Sequence, residues 1–430
     1  MSGGTVLLSE KEIFGIGSQV EELARQARID IAGEFASIDE ITAANERKVL
    51  AAFIRHGVSE SHFAASTGYG YDDRGREILE KVAADVFGAE DAIMRHNFVS
   101  GTHTLTVALF GMLRPGDVML SVTGAPYDTL RGVIGADTPC DGSLADFGIG
   151  YRQLELKEDG TVDFDAIAPA ITSEVKMVYI QRSRGYSLRP TLRNEDITHI
   201  AKIAKSVRED VIVMVDNCYG EFVELCEPCS CGADIMAGSL IKNPGGGIAP
   251  TGGYIAGRAD LVEKCSYRLT TPGTGKELGC TLGQTRNMFM GFFAAPRVVG
   301  EAKKTAVFCA RLFELMGYKT LPAWNAPRGD IIQSVLLENS PRLIAFCRGI
   351  QSGSAVDAYV SPEPWAMPGY DCDIIMASGS FTLGSSIELS ADAPLREPYA
   401  VYMQGGLSFN TAMVGVMMAA QRVLDCGDQQ

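Results

Sequence analysis

The N-terminal residues, from 1 to about 65, have the periodicity of amphipathic helices. Apolar side chains recur at four-residue intervals, as in the pair Val49 and Phe53, which places them on one helical face. Ser37 and Glu40 form an S-x-x-E capping box, a pattern that predicts the start of a helix. We therefore predict an N-terminal helical arm over residues 1–65.

Between about residues 66 and 300, short apolar runs alternate with stretches of helical periodicity. The run Val211–Val215 is uninterrupted, as expected of a strand that is covered on both faces. This alternation predicts an α/β fold with a mostly parallel sheet in one large domain. The predicted strands are Ala92–Arg95, Val118–Val122, Met177–Gln181, Val211–Asp216, Ile235–Ser239 and Tyr254–Ala256. The predicted helices include Gly75–Phe87, Thr102–Leu113 and Asp196–Val207.

Residues 301–430 predict a smaller C-terminal α/β domain. A long helix is predicted near Glu301–Met316, and a second apolar helix near Thr411–Leu424. A Gly/Ser-rich run, Ser378–Ser386, lies between them and is typical of a loop. The chain is thus expected to comprise an arm, a large domain and a small domain.

Composition and charge exclude several classes of protein. The chain has 430 residues, with 38 Lys plus Arg against 53 Asp plus Glu and a net charge of −15. Such a chain lacks the positive charge with which proteins bind nucleic acid or anionic membranes. It contains no uncharged apolar stretch of roughly 18 residues and no N-terminal pattern of a signal peptide. Its 11 scattered cysteines are typical of reduced thiols. We therefore expect a cytoplasmic protein.

Polar residues that follow predicted strands are the candidates for chemistry, because ligands bind beyond the carboxyl ends of parallel strands. Asp216 directly follows an apolar strand, and Lys242 follows the next one. Ser100, Gly101 and Thr102 open a predicted helix, whose N-terminus favours anions. Two simpler explanations stay open. Lys242 is also suited to be the counter-ion of a buried Asp216, and Ser100 to be an ordinary helix cap.

Taken together, these residues match the needs of pyridoxal 5'-phosphate. A lysine forms a Schiff base with the cofactor, a carboxylate keeps the ring nitrogen protonated, and a helix N-terminus holds the phosphate. The protonated ring then withdraws electrons from the substrate α-carbon. The order of phosphate loop, aspartate and lysine along the chain favours this interpretation.

Five segments of the chain carry a resemblance to known enzymes: Tyr69–Arg76, Ser100–Leu105, Val215–Phe222, Gly232–Lys242 and Gln404–Leu407. In these segments the chain resembles the pyridoxal-phosphate-dependent Cys/Met-metabolism enzymes of the aspartate aminotransferase fold. Within them it is most similar to the methionine gamma-lyase-like, or aluminium resistance, proteins. The resemblance implies a fold type I large domain with a mostly parallel, seven-stranded-type sheet.

This resemblance also implies roles for individual residues. Lys242 would form the internal aldimine and shuttle protons, and Asp216 would pair with the ring nitrogen. Tyr127 would stack on the cofactor and belong with Lys242 to the catalytic residues, although an ordinary turn tyrosine is the alternative. The phosphate would be held by Ser100, Gly101, Thr102 and Ser239.

A further implication concerns the assembly. Tyr69, Tyr71 and Arg74 correspond to the segment that reaches a neighbouring subunit's phosphate in the family. Their spacing departs from the usual Tyr-x-Arg, so the sequence does not say which tyrosine has that role. We expect a homodimer or homotetramer with shared active sites.

The substrate carboxylate calls for an arginine, because a guanidinium binds it in bidentate fashion. Arg396 is the preferred candidate, since it follows the Gly/Ser-rich run of the small domain. Arg328, Arg182 and Arg184 are the other candidates. A surface salt bridge is the simpler interpretation for any one of the four.

Two further motifs suggest other chemistry. Cys226, Cys229 and Cys231 form C-x-x-C-x-C, but no histidine or second cysteine pair lies nearby, which favours a thiol cluster over a metal site. The glycines at 245–247 lack the spacing of a phosphate-binding P-loop. They are better explained as a place where the backbone passes close to the cofactor and substrate.

The expected activity is that of a carbon–sulfur lyase. It would act on methionine, cystathionine or cysteine by β- or γ-elimination through the Lys242 aldimine. Two alternatives remain open, because the same cofactor supports several reactions. One is an aminotransferase or racemase of another amino acid, and the other is a catalytically idle relative that binds the cofactor.

Overall fold

The computed structural model describes residues 10–138, 140–367 and 372–427. Its contacts divide the chain into two compact units. The central unit comprises Glu40–Val299 with Arg328–Asp330. The terminal unit comprises the residues up to Asp39, Gly300–Pro327 and the chain from Ile331 onward.

The described residues form twelve α-helices and thirteen strands. The helices are α1 (Glu10–Phe14), α2 (Ser18–Asp30), α3 (Ala32–Arg55), α4 (Arg74–Phe87), α5 (Gly101–Met112), α6 (Asp128–Ile134), α7 (Phe164–Ala170), α8 (Asn194–Val207), α9 (Ala259–Leu269), α10 (Thr285–Leu315), α11 (Ser340–Ser352) and α12 (Phe409–Gly427). The strands are β1 (Asp91–Arg95), β2 (Val118–Ser121), β3 (Gly150–Gln153), β4 (Val175–Gln181), β5 (Ile212–Asp216), β6 (Ile235–Ser239), β7 (Gly253–Gly257), β8 (Lys319–Leu321), β9 (Gln333–Leu336), β10 (Trp365–Ala366), β11 (Asp373–Ser378), β12 (Ser390–Pro394) and β13 (Ala400–Gln404).

The central unit contains a seven-stranded sheet in the order β1-β7-β6-β5-β4-β2-β3. Strands β2 to β6 pair in parallel, and β7 alone is antiparallel to both of its neighbours, β1 and β6. This confirms the predicted mostly parallel α/β sheet and its six predicted strands. The four strands β2, β4, β5 and β6 therefore end at one edge of the sheet, where Ser121, Gln181, Asp216 and Ser239 lie.

The sheet is stable because its strands are apolar on both faces. Every residue of β5 and β6 is buried, as the uninterrupted apolar run predicts. Helix α5 packs Leu105 and Leu109 into the same core as Met214 of β5 and Ala237 of β6. The strand ends that carry polar residues are thus held by a rigid, well-packed layer.

The terminal unit has a different sheet. Its six strands, in the order β10-β11-β12-β13-β9-β8, are all antiparallel. Helix α2 buries Val20, Ala24 and Ala27 at its apolar face, in one core with Val416 and Val423 of α12. The hydrophobic face of α2 therefore explains why the chain's first described helices pack with its last one.

The N-terminal helices differ in two ways from the prediction. The structure divides the predicted 1–65 arm between the two units at Asp39, because α2 packs in the core of the terminal unit. The prediction that Ser37 and Glu40 start a helix is wrong, since both lie inside α3. Ile31 and Ile38 are buried on one face, so the apolar period continues through the capping-box sequence. Within the described ranges, no helix is long and apolar enough to cross a membrane.

Candidate active site

Asp216, the last residue of β5, lies buried at the carboxyl edge of the central sheet. Its carboxylate accepts hydrogen bonds from the backbone N–H of Cys218, at 3.1 Å, and from the Tyr179 hydroxyl, at 3.4 Å. Burial raises the pKa of Asp216, and the nearby positive charge of Lys242 acts against that rise. The site thus holds a desolvated carboxylate that gains from a cationic partner.

Lys242 follows β6 and is partly buried beside the same carboxylate. Its Nζ lies 4.0 Å from the centre of the Tyr219 ring. Burial lowers the pKa of Lys242, but the neighbouring Cys218, Tyr219 and Asp216 raise it by more, so the ammonium form is favoured. Across the described part of the chain, Lys242 has no carboxylate within 4.0 Å, so it is not a tight counter-ion of Asp216.

The predicted phosphate residues come together at the start of α5. Ser100 is the N-cap residue, and its hydroxyl accepts a hydrogen bond from the His103 N–H at 3.0 Å. The first N–H groups of the helix, those of Gly101 and Thr102, have no acceptor within a helix. A Cβ placed on Gly101 would lie 3.3 Å from the Cβ of Ser239, so these two residues face each other closely. The end of β6 therefore packs directly against the start of α5.

Ser239 supplies the clearest sign of a missing ligand. Its side chain is fully buried, and its hydroxyl has no hydrogen-bond partner among the described residues. Buried hydroxyls are ordinarily hydrogen-bonded, because leaving one unsatisfied costs about 1–3 kcal/mol. An anion bound at the start of α5, beside the Ser239 hydroxyl, would satisfy it.

Tyr127 connects the helix to the carboxylate. It precedes α6, and its hydroxyl is 3.0 Å from the Thr102 hydroxyl, while its N–H donates to the Gln181 side chain at 2.8 Å. Burial, and after it the charge of Asp216, raises the pKa of Tyr127, which keeps the phenol protonated. Hydrogen bonds thus fix both the backbone and the side chain of Tyr127, and its predicted stacking on the cofactor stays a prediction.

Three residues of the segment after Asp216 escaped the sequence reasoning. The buried thiol of Cys218 forms a hydrogen bond with the Asp216 carboxylate, and the Tyr219 ring contacts the Lys242 amine. Tyr219 adopts a φ of 70°, a left-handed conformation that is rare for such a bulky residue and typical of functional sites. Glu221 is fully buried and accepts a hydrogen bond from the Tyr254 hydroxyl at 2.8 Å. The sequence placed all three in Val215–Phe222, one of the segments that carry the resemblance, but gave none of them a role.

The predicted subunit-bridging residues lie apart from this cluster, on the surface. Tyr69 and Tyr71 are 72% and 58% exposed, with ring centres 5.7 Å apart, and Arg74 is exposed at the start of α4. The backbone that carries them is nevertheless fixed, because Arg76 donates hydrogen bonds to the carbonyl oxygens of Gly70 and Gly279 at 2.7 Å each. The segment is therefore a rigid, outward-facing aromatic edge.

The candidate arginines fall into two groups. Arg182 is buried and bonded to Asn217 and Glu224, at 2.7 Å each, so it supports the turn after Asp216. Arg184 and Arg328 are also buried, in the central unit. The simpler interpretation as surface salt bridges is therefore wrong for these three. Arg396 is exposed and belongs to the terminal unit, and its predicted carboxylate-binding role stays a prediction.

The glycines that follow Lys242 are packed against protein backbone. A Cβ on Gly245 would lie 1.7 Å from the carbonyl oxygen of Leu240. Gly246 has a φ of 56°, and a Cβ there would lie 2.4 Å from the carbonyl oxygen of Gly291. These close approaches explain the glycines without any contact to a ligand.

Comparison with known proteins identifies the family. The model of the methionine gamma-lyase family matches residues 20–424. The chain belongs to this family. The resemblance stated from the motifs is thereby confirmed over almost the whole chain.

Similar proteins agree with this assignment. A carbon–sulfur lyase involved in aluminium resistance from Clostridium novyi NT has a solved structure that is 50% identical, with a TM-score of 0.93, over 96% of this chain and 98% of that one. The uncharacterized protein YnbB of Bacillus subtilis is 49% identical over 95% of this chain and 97% of its own length. The pyridoxal-5'-phosphate-dependent protein YhfS of Escherichia coli shares the fold, with a TM-score of 0.61 at 16% identity, over 90% of this chain and 97% of its own.

The residues present fit the cofactor that this methionine gamma-lyase family member is expected to hold. The unsatisfied Ser239 hydroxyl and the start of α5 suit a phosphate group. Asp216 is a buried carboxylate without a cationic hydrogen-bond partner in the described residues, which suits a protonated ring nitrogen. Among the described residues, no carboxylate forms a salt bridge with the Lys242 amine. The donor set therefore suits the phosphate, the ring nitrogen and the aldehyde group of pyridoxal phosphate.

Proposed function

We propose that this protein is a pyridoxal-phosphate-dependent carbon–sulfur lyase that acts on a sulfur-containing amino acid by β- or γ-elimination. The observation that carries the proposal is the set formed by Lys242, Asp216 and the unsatisfied Ser239 hydroxyl at one edge of the sheet. The similarity to the Clostridium novyi carbon–sulfur lyase supports the choice of reaction. Methionine, cystathionine and cysteine are the substrates to be tested.

The bound cofactor would supply an electron-withdrawing ring next to the substrate α-carbon. The protein's own residues would orient it. Ser100, Gly101, Thr102 and Ser239 would bind the phosphate with hydroxyl and backbone donors. Asp216 would hold a proton on the ring nitrogen, since a buried carboxylate stabilises a cation that lies against it.

Lys242 would move the protons. Its pKa is raised by the neighbouring Cys218 and Tyr219 and then by Asp216, against the effect of burial. A cation against Asp216 would remove that carboxylate's part of the rise, and Nζ in its neutral form would take a proton from the substrate α-carbon. The same Nζ would return a proton to the sulfur that leaves as a thiol, and hydrolysis of the remaining fragment would give a 2-oxo acid and ammonia.

The test is a product assay with protein that has been incubated with pyridoxal phosphate. Purified protein is mixed separately with cystathionine, cysteine and methionine, and the thiol and the 2-oxo acid are measured. We expect equal amounts of both from at least one substrate, none with Lys242→Ala, and an unchanged rate with the exposed control Lys202→Ala. Turnover of none of the three by the wild-type protein would contradict the substrate class.

We also propose that the active site is shared between subunits of a homodimer or homotetramer. The rigid, exposed edge formed by Tyr69, Tyr71 and Arg74 supports this proposal, because its aromatic and cationic groups are free to reach a second copy. Arg74→Ala and Lys242→Ala, each of low activity alone, are unfolded and refolded together. Recovery of about a quarter of the activity is expected from random pairing in a dimer. No recovery, although mixed oligomers form, would contradict a shared site.

A further inference from the structure

Cys226 and Cys231 are brought together by the turn that follows the Asp216 segment. Their Sγ atoms lie 3.3 Å apart, and both are thiols. The turn is a short 3₁₀ helix, Pro228–Cys231, that ends at Gly232 with a φ of 98°. The third cysteine, Cys229, points elsewhere, since its thiol donates to the carbonyl oxygen of Ala256 at 3.5 Å. The C-x-x-C-x-C motif thus contains one pair and one separate thiol.

A metal does not explain this pair. In the ranges that the structure describes, no group of three or more His, Cys, Asp or Glu side chains is placed to hold a metal ion. Two thiolates alone fall short of the four ligands of a structural zinc site. The Sγ–Sγ distance of 3.3 Å instead exceeds the about 2.05 Å of a disulfide bond by little more than an ångström, so a small movement would bring the two sulfur atoms to bonding distance.

The two thiols differ in access to solvent. Cys226 is exposed, whereas Cys231 is 9% exposed. Asn194 fixes Cys226, because its amide donates to the Cys226 carbonyl oxygen at 2.6 Å and to the sulfur at 3.5 Å. The arrangement therefore presents one thiol to reagents and holds a second directly behind it.

We propose that Cys226 and Cys231 are a redox modification site, which a low-molecular-weight disulfide oxidises reversibly to an intramolecular disulfide. The Cys226 thiolate attacks one sulfur of the reagent, forms a mixed disulfide and releases one thiol. The Cys231 thiolate then attacks the Cys226 sulfur and releases the second thiol. The two cysteines lose two electrons, the reagent gains them, and the two protons end on the released thiols.

The second step is favoured by the first. Burial raises the pKa of Cys231 to about 12, and the hydrogen bond and charge of Cys226 contribute to that rise, while Arg182 lowers it. Once Cys226 carries an adduct, it no longer bears a charge, and its part of the rise disappears. Arg182 also remains nearby to stabilise the Cys231 thiolate. Burial, the largest cause of the raised pKa, remains, so it is the short Sγ–Sγ distance of 3.3 Å that favours attack by Cys231 on the mixed disulfide.

Glu227, the residue after Cys226, links the cysteine pair to the segment that follows Asp216. The Glu227 carboxylate accepts hydrogen bonds from the Phe222 N–H at 2.8 Å and from the Asn217 amide at 3.1 Å. Asn217 directly follows Asp216 in the chain. Glu227 would therefore lie inside the loop that the 226–231 disulfide closes, while its carboxylate supports the backbone after Asp216.

The experiment uses the reduced full-length protein, equilibrated with mixtures of reduced and oxidised glutathione. Thiol–disulfide exchange is stopped with acid, and the remaining free thiols are alkylated. The mass of the protein and the fragmentation pattern of its peptides are then measured by mass spectrometry. We expect the wild-type protein to lose two hydrogens between Cys226 and Cys231 and to regain them with excess reduced glutathione. The matched control Cys229→Ser keeps the pair and should oxidise in the same way.

Two variants separate the roles of the thiols. Cys231→Ser should accumulate a glutathione adduct on Cys226, because nothing resolves it. Cys226→Ser should gain neither the disulfide nor an adduct on the buried Cys231. The proposal is overturned if the wild-type protein forms no 226–231 link in oxidised glutathione, keeps a stable adduct on Cys226, or links either residue to Cys229 instead. Peptide fragmentation of the wild-type protein shows whether the Cys226–Cys231 link forms, even if a variant fails to fold.

Discussion

The replacement Glu221→Gln is expected to make the protein more stable at neutral and alkaline pH. Glu221 lies fully buried in the segment after Asp216, and its Oε1 accepts a hydrogen bond from the Tyr254 hydroxyl at 2.8 Å, while its Oε2 has no hydrogen-bond partner in the described structure. A neutral carboxylic acid tolerates this environment better than a carboxylate does. Glutamine has the shape of the protonated acid and retains the acceptor for Tyr254.

The size of the effect follows from the pKa. Burial raises the pKa of Glu221 from 4.5 to about 8. Folded protein therefore keeps the proton over a range in which the unfolded chain loses it, so the wild-type protein loses stability as the pH rises from 4.5 to 8. At about 1.4 kcal/mol per pH unit, the stability gained by the variant should grow from about 1 kcal/mol at pH 5 to about 4 kcal/mol at pH 8.

The assay is urea unfolding of both proteins at several pH values between 5 and 8, with the free energy of unfolding obtained by linear extrapolation. Other buried acids, including Asp216 and Glu227, are present in both proteins, so their contributions largely cancel in the difference. Glu209→Gln serves as the control, because Glu209 is exposed, and should show a small difference that does not change with pH.

A difference between Glu221→Gln and wild type that stays constant from pH 5 to 8 would refute the reasoning. It would mean that Glu221 ionises at the same pH in the folded and unfolded chains. A variant that is less stable than the wild type at pH 8 would refute it as well, since the buried carboxylate would then be well satisfied.

Three further predictions concern the cofactor. Ser239→Ala should weaken binding of pyridoxal phosphate about tenfold to a hundredfold, the worth of a hydrogen bond to a charged group, in a fluorescence titration in which the exposed Ser206→Ala is unchanged. Lys242→Ala should remove the visible absorbance band that the wild-type protein gains with the cofactor, and retention of that band would contradict the assigned role. Asp216→Asn should lower kcat about a hundredfold or more, because a neutral amide cannot hold a proton on the ring nitrogen; full activity would rule out the pairing with the ring nitrogen.

Most of the central sheet was predictable because its strands are buried on both faces. The runs that form β5 and β6 are apolar from end to end, so their ends and the polar residues beyond them were visible in the sequence. Strand β3 was missed, since Gly150–Gln153 is an edge strand that is only partly buried and has no apolar run. Helix α10 begins at Thr285, well before the predicted start near Glu301, and it contains Pro296, a residue that ordinarily ends a helix.

The candidate site also contains residues that the sequence predicted and residues that it did not. Asp216, Ser239 and Lys242 were predictable because each follows a recognisable strand. Their spatial relation to Gly101 was not, because it depends on the antiparallel β7 between β1 and β6, and local patterns do not encode strand order. Tyr219 and Glu221 lie in an irregular segment whose left-handed φ and buried contacts arise from tertiary structure, so periodicity gave no sign of them.

The glycines after Lys242 have a consequence for protein engineering. Any side chain at 245 or 246 would collide with the carbonyl oxygen of Leu240 or of Gly291. Libraries that randomise these positions to widen substrate range should therefore return glycine almost exclusively, whatever reaction is selected. Intolerance there would report on backbone crowding and carry no information about substrate recognition. Diversity is better directed to Tyr127 and Tyr219, whose side chains contact Thr102 and Lys242 of the candidate site.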